Sequence, residues 1–267
     1  MNLRKWLRER RLRRRLARLA EIPCPEDEKR WVFVVGCYNS GTTLLHDILA
    51  SHPRVAHLPQ EGQYCTDQLP VPSRLGLPRA WALAPERFIP KPGHEPDAER
   101  LRRQWCGMMS DPRRPIFLEK SIPNAARIRW LAQQFPGARF LALMRNGYAV
   151  AEGIRRKAGH PLELAARQWR VSNQIMLEQL SQVEHGLLLR YEELTGDPGA
   201  TLGRVLEFLE LDPAHLTLER EWTVHGITSG IRDMNPVSLA RLSETERDII
   251  RAEAEELLDR FQYEGQA

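Results

Sequence analysis

Cysteine is scarce in this chain, with four among 267 residues, at positions 24, 37, 65 and 106. None forms a CxxC pair and no His/Cys cluster has zinc spacing, which excludes a fold built around structural zinc. Reduced thiols in a cytoplasm are the expectation. Long apolar runs are also lacking: none approaches the roughly 18–20 residues of a spanning helix. The charged N-terminus has no apolar core of the kind a signal peptide needs. No internal repeat or low-complexity tract is present. Net positive charge is missing from most of the chain too. The formal net charge is +4, yet residues 1–20 carry nine Lys/Arg against one Glu, a net +8 that leaves −4 for the rest. The body is therefore not a basic nucleic-acid binder.

What the chain does contain is enough apolar material for a core, at 42% of residues, in a length that suits one α/β domain or at most two small ones. Residues 1–22 predict a helix with Leu3, Trp6, Leu7, Leu12, Leu16 and Leu19 spaced among arginines. Such a basic amphipathic arm can lie peripherally on an anionic membrane or an acidic acceptor, or pack its leucines on the body. Pro23 and Pro25 mark the boundary between an arm over 1–25 and a domain over 26–267.

The domain alternates predicted strands and helices. Trp31–Val35, Ile116–Leu118, Phe140–Met144 and Leu187–Tyr191 read as strands. Helices are expected over 42–51, 126–135, 148–157, 162–183, 198–209 and 243–261, the last opened by a Ser243/Glu246 capping box. This order implies a P-loop-type, three-layer α/β domain, a central parallel sheet flanked by helices. Residues 59–115 depart from it: they hold ten of the 19 prolines and little periodicity. A long irregular segment in a compact domain is usually functional, and this one follows the first βα unit, where it can roof a pocket.

Between the first strand and its helix lies Gly36-Cys-Tyr-Asn-Ser-Gly-Thr-Thr43. The glycines permit a tight turn, and backbone N–H groups with the helix N-terminus then offer partial positive charge to phosphate oxygens. Ser40, Thr42 and Thr43 add hydroxyl donors. The spacing is that of a Walker A loop with Thr42 in the place of its lysine. That substitution, with no magnesium-binding aspartate evident after an apolar strand, disfavours a P-loop kinase or NTPase.

The segment G-x-x-x-S-G-T-T-L-L with His52-Pro53 resembles the 5′-phosphosulfate loop of sulfotransferases that use 3′-phosphoadenylyl sulfate (PAPS), in the branch of tyrosylprotein and bacterial glycan or natural-product enzymes. Further segments agree in order: Leu118-Glu-Lys-Ser-Ile-Pro123, Phe135–Arg145, Tyr191–Leu194 with Asp197-Pro198, Asn235–Ser243 and Phe261–Tyr263. The resemblance implies a transferase with PAPS as donor co-substrate. The thiols and the lack of a spanning run or signal peptide set the expectation of a soluble, cytoplasmic protein, and the visible residues require no metal. Its acceptor would bear a free hydroxyl, as in a glycan, phenol, tyrosyl peptide or lipid. The resemblance assigns Asn39, Ser40, Gly41, Thr42, Thr43 and Leu44 to the donor loop and Arg145 to the 3′-phosphate. Gly153 stands where a serine usually assists, Lys157 lies near a second cation position, and Tyr191 packs near the nucleotide or in the core. Glu61 corresponds to the acidic base, with His57 and His94 as competing bases, and Lys120 to the cation at the bridging oxygen. One departure is Asn39, where relatives carry Arg or Lys. It leaves a catalytically weak or inactive PAPS-binding protein as the alternative.

Overall fold

The structure, a computed structural model, describes residues 3–24, 29–216, 221–224 and 227–263. The elements begin with α1 (Leu3–Leu19), β1 (Arg30–Gly36), α2 (Thr42–Ala50), β2 (Val55–His57), α3 (Ala98–Cys106), β3 (Ile116–Lys120), α4 (Ile128–Gln134) and β4 (Arg139–Met144). They continue with α5 (Gly147–Ala158), α6 (Leu162–Leu180), β5 (Gly186–Arg190), α7 (Tyr191–Gly196), α8 (Pro198–Leu209), β6 (Trp222–Val224), β7 (Ile227–Ser229), α9 (Asn235–Leu239) and α10 (Glu244–Arg260).

Alternation along β1 decides the layers. Trp31, Phe33 and Val35 point into one apolar cluster, Val32 and Val34 into another, and all five are buried. A strand covered on both faces belongs in the middle of a parallel sheet. The sheet runs β2-β3-β1-β4-β5, with every neighbouring pair parallel. Trp31, Phe33, Phe117, Phe140 and Trp105 stack on one face together with residues of α5, α6 and α10. Leu45, Ile48 and Leu49 of α2 pack with Leu202, Val205 and Leu209 of α8 on the other. The expected three-layer domain is the observed one. Tyr191 differs slightly from expectation, since it opens α7 instead of closing β5.

The proline-rich stretch is ordered by burial and hydrogen bonds more than by periodicity. Trp81 is fully buried, and the Ala82 N–H donates to Gln168 Oε1 of α6 (2.7 Å). The segment also contains α3, whose N-cap Asp97 accepts from the Arg100 N–H. Helix α1 docks its C-terminal half on α3: Leu16 is 2% exposed, and Gln104 Nε2 donates to the Leu16 carbonyl (3.2 Å). This docking corrects the expectation of four reduced thiols. Cys24 and Cys106, with Cα atoms 5.7 Å apart, form a disulfide, while Cys37 and Cys65 are free and buried. No local spacing signals the pair, because 82 residues separate its members and only the helix packing joins them. The thiol-based ground for a cytoplasmic location therefore falls away. Among the described residues no helix is long and apolar enough to cross a membrane.

Candidate active site

Lys120 ends β3, the phosphate loop follows β1, Arg145 follows β4 and Tyr191 follows β5. The sheet thus gathers these residues at the carboxyl ends of its strands, where an open α/β sheet binds ligands. The loop turns sharply before α2. Gly41 has φ 91°, and a Cβ there would lie 2.6 Å from the Tyr191 ring, so only glycine fits. Asn39 also sits in the left-handed region, at φ 63°.

Arg145 is 8% exposed and, among the described residues, has no carboxylate within ion-pair distance. Its Nε donates to Asn235 Oδ1 (2.7 Å) and its Nη1 to the Asn39 carbonyl (2.8 Å), while the guanidinium lies 4.2 Å from the centre of the Tyr191 ring. The second terminal nitrogen, Nη2, is buried and unpartnered. Desolvation lowers the pKa of this arginine, and nearby Tyr191 and Glu192 oppose the shift. Tyr191 is fixed in turn: its hydroxyl donates to the Arg232 carbonyl and accepts from the Met234 N–H, both at 3.0 Å.

Arg145 opens into a cavity of about 330 Å³ lined by Gly41, Thr42, Thr43, Leu44, Gly153 and Tyr191, together with Arg156, Lys157, Arg232 and Arg241. Five basic side chains and no carboxylate stand among its described lining residues. Buried Arg145, with an unpartnered Nη2 and four exposed basic side chains around it, suits an anion of more than one charge, although Arg156 and Arg241 also pair with Glu152. A second cavity, also about 330 Å³, is lined by Tyr38, Glu61, Tyr64, Arg79 and Lys120 among others. Asn39, Thr42 and Thr43 line both cavities, so the phosphate loop is the seam between them.

In the second cavity Lys120 Nζ donates to Glu61 Oε1 (2.9 Å), and Gln63 Nε2 donates to Glu61 Oε2 (2.9 Å). The turn that carries Glu61 is pinned by Glu119, which accepts from the Gly62 N–H (2.9 Å), from Asn124 Nδ2 (2.6 Å) and from the Ser121 hydroxyl. Glu119 is fully buried, and desolvation pushes its pKa up to about 7. His57 points Nδ1 at the Leu58 carbonyl and packs edge-on against His46, while His94 is exposed; neither lines either cavity.

Residues 32–215 match the model of the sulfotransferase family. The chain belongs to that family. It is 24% identical over 197 residues to protein-tyrosine sulfotransferase A of Caenorhabditis elegans, a match covering 68% of this chain and 50% of the relative. The chain spans about half the length of that curated relative. Among solved structures, the sulfotransferase domain from the Synechococcus PCC 7002 olefin synthase superposes with a TM-score of 0.55 at 22% identity, covering 91% of this chain and 99% of that one. The sulfotransferase domain from the curacin biosynthetic pathway gives 0.54 at 20%, covering 88% and 98%. A mouse sulfotransferase in complex with PAP gives 0.50 at 12%, covering 92% and 91%. These likenesses establish the fold.

Within this sulfotransferase fold, the sequence-derived candidates fall into two groups joined by Asn39. Leu44, Arg145, Gly153, Lys157 and Tyr191 surround the first cavity, and Glu61 and Lys120 meet in the second. Ser40 lies beneath the loop, fully buried, with its hydroxyl unpartnered. Residues that sequence reasoning missed are Asn235, Glu119 and Arg79. Asn235 and Glu119 sit inside recognised segments as buried polar side chains. Arg79 lies where no local pattern marks it.

Proposed function

We propose that this chain transfers a sulfuryl group from PAPS to an acceptor hydroxyl. The observation that carries the reading is the pairing of two cavities across one phosphate loop. One is cationic, with no carboxylate among its described lining residues and the unpartnered Nη2 of Arg145 in its wall. The other holds a carboxylate beside a lysine. The 3′-phosphate is assigned to Arg145, and the 5′-phosphosulfate to the loop amides and the hydroxyls of Thr42 and Thr43. PAP in the mouse structure is consistent with this donor. Glu61 takes the proton of the acceptor hydroxyl as that oxygen bonds to sulfur. The sulfur–oxygen bond to the 5′-phosphate breaks, and its electron pair stays on the phosphate oxygen, where Lys120 offsets the developing charge. Donor and acceptor entering from opposite cavities give the in-line geometry the step needs. The name of the nematode relative places a tyrosyl hydroxyl among the candidate acceptors, beside glycans, other phenols and lipids. The N-terminal helix is the proposed contact with an anionic surface.

The donor assignment is tested by melting temperature without magnesium. The product nucleotide, 3′,5′-ADP, is expected to raise it by mass action, and ATP to do so far less, because ATP has no 3′-phosphate for Arg145. Equal shifts would remove PAPS as donor. Glu61→Gln is expected to lower transfer by about 10²–10⁴-fold with 3′,5′-ADP binding intact. Near-normal transfer would move the base elsewhere.

A further inference from the structure

Position 39 is where the loop lacks the cation of its relatives, and the structure puts two cations there by another route. The Asn39 side chain turns toward α5 and lies on Gly153: a Cβ at 153 would come within 2.9 Å of Asn39 Nδ2. A side chain at 153 would therefore press on the Asn39 amide, which would have to shift. Asn39 Oδ1 then accepts from Arg79 Nη1 at 3.2 Å and from Lys157 Nζ at 3.1 Å. Two like charges converge on one neutral oxygen, and among the described residues neither has a carboxylate within ion-pair distance. Convergence of that kind is costly unless an anion joins it. Arg79 faces the cavity that holds Glu61 and Lys120, and Lys157 faces the one that holds Arg145. The vacant counter-charge therefore belongs at the seam, where a group passing from one cavity to the other must cross.

Arg79 is held there with some insistence. Its φ is 55°, a left-handed conformation that a residue with a long side chain keeps only where its surroundings over-determine it. Its guanidinium lies over the Tyr38 ring at 5.6 Å. On one side the Pro78 carbonyl is met by His160 Nε2 (2.6 Å). On the other side Ala80 and Trp81 are buried. The segment is thus anchored at both flanks, and the arginine head is what it presents to the loop. A guanidinium offers a planar fork of donors that matches two oxygens of a phosphate or sulfate, and it stays charged at every working pH.

We propose that Arg79, delivered by the proline-rich segment and held by Asn39, is the catalytic cation that stands in for the missing basic residue of the phosphate loop. Resting on the sulfuryl-transfer reading, it assigns Arg79 to the non-bridging and leaving oxygens of the phosphosulfate. There its charge compensates the electron pair released when the sulfur–oxygen bond breaks, while Glu61 takes the acceptor proton. Asn39 is the positioning residue: it touches no reacting bond but fixes where the guanidinium sits. The proline-rich segment then closes the acceptor cavity and completes the electrostatics of transfer in one piece.

The test uses the full chain, radiolabelled PAPS and 2-naphthol as acceptor, with dissociation constants for PAPS and 3′,5′-ADP measured in parallel. Arg79→Ala is expected to lower single-turnover transfer by about a hundredfold or more, as for loss of one preorganised donor, and to weaken PAPS more than 3′,5′-ADP. Arg79→Lys keeps the charge without the fork and is expected to fall between, which separates a lost cation from a misfolded loop. Asn39→Arg in the Arg79→Ala background is expected to restore transfer at least tenfold, since it returns the cation to the loop itself. The proposal is overturned if Arg79→Ala transfers within threefold of the wild type, or if Asn39→Arg gives no rescue. A wild-type chain that neither binds 3′,5′-ADP nor consumes PAPS overturns the sulfuryl-transfer reading instead, and the proposal with it. A wild type that binds 3′,5′-ADP tightly but cleaves PAPS neither to 2-naphthol nor to water overturns the catalytic role of Arg79 and supports the binding-protein alternative.

Discussion

Lys157 shares its acceptor with Arg79 and also faces Arg145 and Arg156, with Glu152 as the opposing charge. The residue is exposed overall, but its ammonium is turned in against Asn39. Desolvation, followed by the neighbouring arginines, lowers its pKa to about 8. The sign of the consequence is fixed by which form an anion prefers. A phosphate in the first cavity favours the protonated amine, so binding raises this pKa and affinity is greatest where the amine is already charged. Binding of 3′,5′-ADP is therefore expected to hold steady from pH 7 to about 8 and to weaken above it, approaching tenfold per pH unit. Lys157→Met is expected to bind more weakly at pH 7 and to lose the slope. Calorimetric titration between pH 7 and 9.5 (about two pKa widths around the amine, and above the second phosphate pKa near 6) checks this. An identical slope in wild type and variant would assign the dependence to another group.

The leucine stripe of α1 suits either a surface contact or a core contact, and Leu16 packs the C-terminal half into the core. Arg103 Nη1 donating to the Ala20 carbonyl (3.1 Å) and the Cys24–Cys106 bridge fasten the same end. Leu16→Ala is expected to cost about 2–5 kcal/mol, read from the urea midpoint. Binding of 3′,5′-ADP at low denaturant should stay unchanged, because α1 supplies no described residue to either cavity. What was legible in the sequence divides along this line. The phosphate loop and Arg145 follow predicted strands, so local pattern places them on the ligand side of the sheet, whereas Lys120 and Tyr191 are reached only through the family resemblance. β2 was not legible, being three residues long, and neither was the antiparallel pair β6–β7. Arg79 was invisible for a different reason. Its meaning lies in a contact with Asn39 forty residues away, in a segment ordered by buried tryptophans and side-chain hydrogen bonds, with no period to read. In the sequence Asn39 is only a missing cation, and the placement of its oxygen between two cations shows what it holds.

At the scale of the whole molecule the charge is divided, and the division survives folding. Arg10, Arg11, Arg13, Arg14, Arg15 and Arg18 are exposed on α1, and none has an ion-pair partner among the described residues. Trp6 and Leu7, 37% and 39% exposed, lie at the end of the helix away from the Leu16 contact, and Arg10 stands over the Trp6 ring at 5.2 Å. An aromatic and a leucine beside unpaired arginines suit an anionic interface, where the apolar pair enters and each nearby basic side chain contributes on the order of 1 kcal/mol. The body carries the opposite net sign, so net attraction to an anionic surface is expected to come from the helix. Replacing the six arginines by glutamine keeps Leu12, Leu16 and Leu19 in place and leaves the disulfide intact, so the variant should melt within about 2 °C of the wild type, as surface changes within roughly 0.5 kcal/mol do. The wild type is expected to sediment with vesicles containing phosphatidylserine at low salt and to release as the Debye length shortens from about 10 Å at 0.1 M to about 3 Å at 1 M. The glutamine variant should sediment far less than the wild type at low salt. Sedimentation of the variant equal to that of the wild type would place the contact on the body. Sedimentation that persists at 1 M salt in the wild type would mean insertion of Trp6 and Leu7, with charge serving only to deliver the helix to the surface.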